Sequence, residues 1–272
     1  NPLAATDTYN IGIGFNAVLS VSTGIRNTLI GGSAGDSLTT GAYNVAVGYE
    51  ALAAEDGDGR NVAIGYQALA VQDAGADAYN TAIGFYAGTG LVTSTGNTLI
   101  GAYSGDAIIT GVENTFAGYY SGSSNTSGER SVAVGGYALS SNTIGSRNIA
   151  IGHGALQSNV DGSYSVAIGY AALNALDPAA PVNMYNVAIG HNAGTAMTTG
   201  YNNTLIGGQA GYSLLGATDN VLIGAFCGDN LTIGIRNVAI GTNALTAEDA
   251  HGYNVAIGHG ALQTQNAGAN AY

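Results

Sequence analysis

Five carboxylates crowd one stretch of the chain, Glu55, Asp56, Asp58, Asp73 and Asp77, and hard side-chain oxygens of this kind are what a calcium ion takes as ligands. The same residues also make an ordinary solvated acidic edge. The corresponding stretch near the other end keeps Glu248 and Asp249 but then has Gln265 and Asn266, so the acidic edge is the stronger reading. Calcium is the only cofactor these residues argue for. His153, His191 and His259 recur at one place in a repeat but never in neighbouring copies, so they do not share a metal, and no Ser-His-Asp arrangement can be drawn from them. The glycine-rich stretches contain no lysine, which excludes a phosphate-cradling Walker loop. Cys227 stands alone and reads as a small packing residue. An enzyme is not expected.

Arginine and tyrosine are placed more suggestively. Arg26, Arg60, Arg130, Arg147 and Arg236 all precede the same short motif, and Tyr9, Tyr43, Tyr79, Tyr164 and Tyr185 share that place. Stacked copies would run Tyr9, Arg26, Tyr43, Arg60, Tyr79 up one edge, with cation–π contacts of about 0.5–1 kcal/mol each. This is a structural ladder first, and a sugar- or receptor-binding stripe second. Another row holds Tyr49, Tyr66, Tyr86, Tyr103, Tyr119, Tyr120, Tyr137 and Tyr170 beside Phe15, Phe85 and Phe226. Rows of exposed rings can contact glycans or cover a bend or an inter-chain seam.

The element that must position these rows is a repeat. Its anchor, Asn-Val-Ala-Ile-Gly in consensus, begins at residues 10, 27, 44, 61, 80, 97, 114, 131, 148, 165, 186, 203, 220, 237 and 254, and twelve of the fourteen spacings are 17. The other spacings are 19 and 21, with the extra residues just before Asn80 and Asn186, in the loop part of the rung where insertions are tolerated. Counting from the anchor, position 1 is Asn (Asn10, Asn27, Asn44, Asn61) in all but Ser131 and Ser165, and position 5 is always Gly (Gly14, Gly31, Gly48, Gly65). These are the rung's structural ladder. Position 2 is Val, Ile or Thr and position 4 is Ile, Val or Ala117. β-Branched residues two apart are a strand signature, and the invariant glycine ends the strand. A small residue at position 8 is expected to open a second short strand, and Asp, Ser, Thr, Asn and Gly at positions 10 to 16 close the rung.

The strand's alternation predicts positions 2 and 4 inside the coil and position 3 outside. Positions 3, 9 and 12 exchange volume: Ala63, Leu69 and Gln72 in one subtype, Leu29, Gly35 and Leu38 in the other. One crowded region shared by all three explains the exchange, although Gly88 and Gly194 keep Ala at position 3. A strand apolar on both faces needs cover on both, which predicts lateral association with identical chains, a closed homotrimer first and a lateral filament second. The expected fold is all-β, a parallel β-solenoid of about fifteen rungs forming one continuous repeat domain over residues 1–272, roughly 70 Å long at about 4.8 Å per rung.

The Asn-Val-Ala-Ile-Gly motif with its following Ala resembles the head repeats of trimeric autotransporter adhesins. That resemblance implies a left-handed parallel β-roll. The 17-residue spacing, with Tyr66 to Leu69 and Thr39 to Gly41, also resembles stalk repeats of phage tail fibres and bacterial surface fibres. An extracellular attachment fibre on a virion or cell surface is implied, contacting a glycan or protein receptor; a purely structural surface filament or coat polymer is the alternative. Tyr272 ends a rung as Tyr79 does, so the chain reads as a fragment of a longer one.

Composition is consistent with this. Seventeen acids against five arginines give a net charge of −12, which argues against nucleic-acid partners and anionic membranes. No run of eighteen apolar residues is present, so membrane insertion by a helix is not expected. Only 8% of residues are charged while 46% are hydrophobic, which excludes a disordered chain.

Overall fold

Each rung spends three residues on a strand, because only the β-branched pair and the residue between them favour extended backbone before the glycine turns the chain. The computed structural model describes residues 8–57, 59–248 and 250–265; Asp58, Asp249, Asn266 and Tyr272 lie outside these. Contacts divide the chain into two compact units, one running to Glu129 and one from Arg130. The first holds β1 (Ile11–Ile13) to β7 (Thr115–Ala117), and the second β8 (Val132–Val134) to β15 (Val255–Ile257). Within each unit, successive strands pair in parallel and in chain order, so each is a β-solenoid without helix among the described residues.

Within each unit the register holds from strand to strand. Val45, Ala46 and Val47 face Val62, Ala63 and Ile64. The longer rungs keep the same alignment, with Val62 opposite Thr81 and Val166 opposite Val187. Extra residues therefore bulge into the closing loop and leave the ladder intact. Position 8 falls in a run of turns, and no second strand is assigned there among the described residues. Turn backbone still bonds from rung to rung, as Gly35 N–H to Ala51 O at 3.0 Å and Ser37 N–H to Ala53 O at 3.2 Å.

The strand faces are the reverse of the sequence expectation. Position 3 is the inner residue: Leu29, Ala46, Ala63, Leu99, Phe116 and Leu222 are fully buried. Positions 2 and 4 face outward, and Ile100, Ile151, Ile189 and Ile240 remain 37–43% exposed. The reason lies in the size of the coil. Seventeen residues enclose a narrow interior, already filled by the buried position 1 asparagine and the Ala of position 8, so the inner strand residue must usually be small. Alternation puts position 3 on the asparagine's side. The strand is still apolar on both faces, but the uncovered face is the β-branched one.

Positions 3, 9 and 12 meet inside a single chain, so their exchange needs no second copy. A Cβ on Gly35 would lie 2.9 Å from Leu29 Cδ2, and one on Gly122 would lie 2.3 Å from Phe116 Cε2. The two exceptions resolve in the same way. A Cβ on Gly88 would meet Leu99 Cδ1 at 2.7 Å and Leu69 Cδ2 at 3.0 Å, leucines of the rungs above and below; on Gly194 it would meet Leu205 and Leu173. Volume is balanced across neighbouring rungs as well as within one.

Three positions per rung, 7, 9 and the last before the anchor, bend left-handed even without glycine. Leu52 and Leu69 have φ of 53° and 50°, and the fourteen non-glycine residues preceding anchors lie between 51° and 65°. Such residues cost about 1 kcal/mol or more each, which stacking must offset.

Candidate functional site: edge and bend ladders

The rows of arginine and tyrosine stand on an asparagine spine. Asn220 Oδ1 accepts the backbone N–H of Asn237 at 2.9 Å, while its Nδ2 donates to Gly234 O at 2.9 Å and to Asn203 Oδ1 at 3.1 Å. One buried amide thus ties a rung to its neighbours and closes its own last turn. In the first unit Asn27 does the same, bonding Asn44 N–H at 2.9 Å and Gly41 O at 2.9 Å. Ser131 keeps one of these bonds, accepting from Asn148 N–H at 3.2 Å. Where position 12 is Asn it shares the duty: Asn142 and Asn159 donate at 2.9 Å to the carbonyls of Gly145 and Gly162.

The left-handed residue before each anchor carries its side chain at the edge. There the expected ladder forms from Arg26 to Tyr79. Arg26 donates to the Tyr43 hydroxyl, with its guanidinium 5.3 Å from that ring. Arg60 sits 5.6 Å from both the Tyr43 and Tyr79 rings and pairs with Asp77. The second unit repeats the contact with Arg147 over Tyr164 at 5.3 Å and Arg236 over Tyr253 at 5.5 Å.

The bend ladder is a stack of rings. Tyr66 lies 5.5 Å from Tyr49 and 5.3 Å from Phe85, with interplanar angles of 18° and 21°. Tyr103 lies 5.6 Å from Tyr86 and 4.7 Å from Tyr120, again nearly parallel. Both faces of Tyr66 and Tyr103 are therefore occupied by neighbouring rings, and what they offer a partner is edge and hydroxyl. Hydrogen bonding to Glu50 pushes the Tyr49 hydroxyl up, and the Gln67 amide followed by Tyr49 pulls the Glu50 carboxyl down. In the second unit histidines join the stack, Tyr170 lying 5.7 Å from His153 and 5.3 Å from His191.

Of the five proposed calcium ligands the structure gathers three. Oxygens of Glu55, Asp56 and Asp73 lie within 4.8 Å of one another. Asp77 is engaged by Arg60 instead, and Asp58 lies outside the described residues. Glu55 is buried and within 3.4 Å of Asn61 Nδ2, and the corresponding Glu248 accepts from His251 N–H at 2.9 Å. These glutamates close turns.

No family model, curated protein or solved structure matches the chain.

Burial shifts the protonation of Cys227 and Asp106 furthest. Cys227 is buried, contacts Ala239 O at 3.2 Å, and has its thiol pushed up to about 11 by burial, which makes it a poor nucleophile. Burial also raises the Asp106 carboxyl from 3.8 to about 6, and its buried Oδ1 has no hydrogen-bond partner. Because the folded value is raised, ionisation penalises the folded state as pH climbs through about 6. Asp106→Asn is expected to stabilise the chain at pH 7 by about 1 kcal/mol, discounted for partial exposure, with no gain at pH 4. Urea midpoints at the two pH values measure this.

Sequence reasoning passed over one feature. The four extra residues before Asn186 build a pocket of about 400 Å³ walled by Pro178, Ala179, Val182, Met184, Thr199 and Tyr201. The 21-residue spacing and the two prolines Pro178 and Pro181 within it were its signals.

Proposed function

We propose that the chain is a segment of a non-enzymatic extracellular attachment fibre, of the kind found in phage tails or as a bacterial surface adhesin. The observation that carries this reading is the pair of surface ladders, alternating Arg and Tyr from Arg26 to Tyr79 along the edge and stacked rings from Tyr49 to Tyr120 along the bend, each continuing over several successive rungs. A repeated weak contact gains strength by multivalency when a surface offers many copies of one ligand. Tyr49, Tyr66, Tyr86 and Tyr103 would meet a glycan or protein receptor with ring edges and hydroxyls, and Tyr9, Arg26, Tyr43 and Arg60 would do so along the edge. The left-handed coil implied by the repeat resemblance belongs to the same reading.

Identical chains are the proposed lateral partners, as a homotrimer or lateral filament. The outward β-branched stripe supports this, since it is uncharged, rich in exposed isoleucine and valine, and repeated from rung to rung. A purely structural filament is the second reading. It is favoured by the occupied faces of Tyr66 and Tyr103, which fit a ladder that stiffens the chain.

Glycan-array and cell-binding assays on the chain carrying Tyr49→Ala, Tyr66→Ala, Tyr86→Ala and Tyr103→Ala separate the two. Attachment is expected to fall at least about tenfold through lost multivalency. Binding that survives intact removes the bend ladder as the contact surface, and no binding by the unaltered chain favours the structural filament. Light scattering tests the lateral partner: a stable monomer overturns it.

A further inference from the structure

The widest departure from the repeat is a built pocket. The insertion is pinned at both ends. Asp177 N–H donates to Thr198 O at 2.9 Å, Ser163 N–H to Val182 O at 3.0 Å, Met184 N–H to Ser163 O at 2.9 Å, and Asn202 N–H to Met184 O at 2.8 Å. Between the first and second of these ties the chain runs Pro178-Ala179-Ala180-Pro181, and its two prolines hold it away from the stack. The result is an open hollow of about 400 Å³, at the small end of the size range of ligand sites. Its floor is apolar and buried, made by Pro178 and Met184, while Val182, Asn183, Thr199 and Tyr201 form an exposed rim. Insertions in repeat proteins commonly lie on the binding face.

We propose that this pocket binds an N-acetylated sugar, with the acetamido methyl on the Pro178 and Met184 floor. The proposal rests on the attachment reading above and names a ligand class for it. A sugar bearing only hydroxyls would set them against an apolar floor without partners. A purely apolar ligand would make no use of the Asn183 amide and Thr199 hydroxyl on the exposed rim. An acetamido pyranose meets both demands. Its methyl covers the floor, its amide meets Asn183 and Thr199, and its ring lies against Tyr201. Asn183 Nδ2 already donates to the Tyr185 hydroxyl at 3.1 Å, which orients its amide oxygen to accept a ligand N–H. Tyr201 lies on the rim and is 47% exposed, outside the ring-stacking contacts that occupy Tyr170 in the same unit.

The test is an NMR titration of the unaltered chain with N-acetylglucosamine, glucose and N-acetylphenylalaninamide, with saturation transfer to locate the contact. N-acetylglucosamine is expected to bind in the low millimolar range, at least about tenfold tighter than glucose, with its methyl most strongly saturated. Tyr201→Ala and Val182→Asp, both on the exposed rim, should each weaken it at least about fivefold, whereas Tyr212→Ala in the same unit should not. Equal binding of glucose, absence of binding at about 50 mM, or indifference to Tyr201→Ala overturns the proposal. Tighter binding of N-acetylphenylalaninamide also overturns it and makes the pocket a peptide-docking site. If a variant fails to fold, the three-ligand comparison on the unaltered chain still decides. Sugar binding here with no attachment of the chain to glycan surfaces defeats the attachment reading alone, and attachment without sugar binding here defeats the pocket alone.

Discussion

Replacing Gly65 with alanine is expected to destabilise its unit by at least about 4 kcal/mol, the range reached when a forced backbone clash adds to a forbidden conformation. Gly65 has φ of +139°, a region closed to side chains, and a Cβ there would lie 2.2 Å from Gly84 O. The obstacle is backbone of the next rung, so no rotamer relieves it. Moving the rungs apart would break the bond from Gly84 N–H to Ile64 O at 2.7 Å and disturb the pairing of Ile64 with Ile83. The strand residues flanking this site should also lose amide protection in hydrogen exchange. Gly75→Ala is the control. Its φ is +68° with nothing within 4 Å of the added Cβ, so it should cost only about 1 kcal/mol for the left-handed backbone. Equal urea midpoints for the two variants would refute the close approach at position 5.

Leu222 and Gly228 should behave as one unit. Leu222→Ala alone opens a cavity in a fully buried site and is expected to cost about 2–5 kcal/mol. Gly228→Leu alone drives a side chain into Leu222, whose Cδ1 lies 2.9 Å from the added Cβ, and is expected to cost about 1–3 kcal/mol or more. The double variant recreates a combination the chain already uses, Ala167 with Leu173 and Leu176, since Leu231 fills position 12 here. Leucine is known to accept the required backbone, as Leu245 in the next rung has φ of 56°. The double variant should therefore recover about 2 kcal/mol or more relative to the sum of the singles, a coupling read directly from a double-mutant cycle. Strict additivity would mean that positions 3 and 9 do not share space.

Much of the fold was legible because repetition multiplies weak signals. The anchor Asn and Gly, recurring in step, announced stacked parallel strands, and the Arg60 and Tyr43 spacing announced their contact. The inside and outside of the strand were misread because hydrophobicity was taken to choose the face. In this coil the buried position 1 asparagine fixes the inner face, and the volume at position 9 sets how large the inner residue can be. Ala46 and Ala63 lie inside beside Leu52 and Leu69, Leu29 and Phe116 lie inside beside Gly35 and Gly122, and the buried Asn44 two residues before Ala46 marked the inner face. The exchange between Leu29 and Gly35 was readable in sequence, but its location within one chain required coordinates, because volume compensation looks the same within a subunit and between subunits. The acidic cluster divided because pairing of Asp77 depends on the edge arginine of the preceding rung. The pocket was hidden because a spacing records that residues were added and not what they enclose.

The asparagine spine has a consequence for inheritance. Each spinal asparagine receives from one rung what it hands to the next, so a whole 17-residue copy carrying the anchor Asn can be gained or lost in replication with the spine bonds matched again. A single inserted codon within the strand has no such freedom, since it would turn every following side chain in the rung to the opposite face. Length can therefore change in steps of one repeat where the neighbouring rungs keep their volumes matched, as Gly88 requires of Leu69 and Leu99.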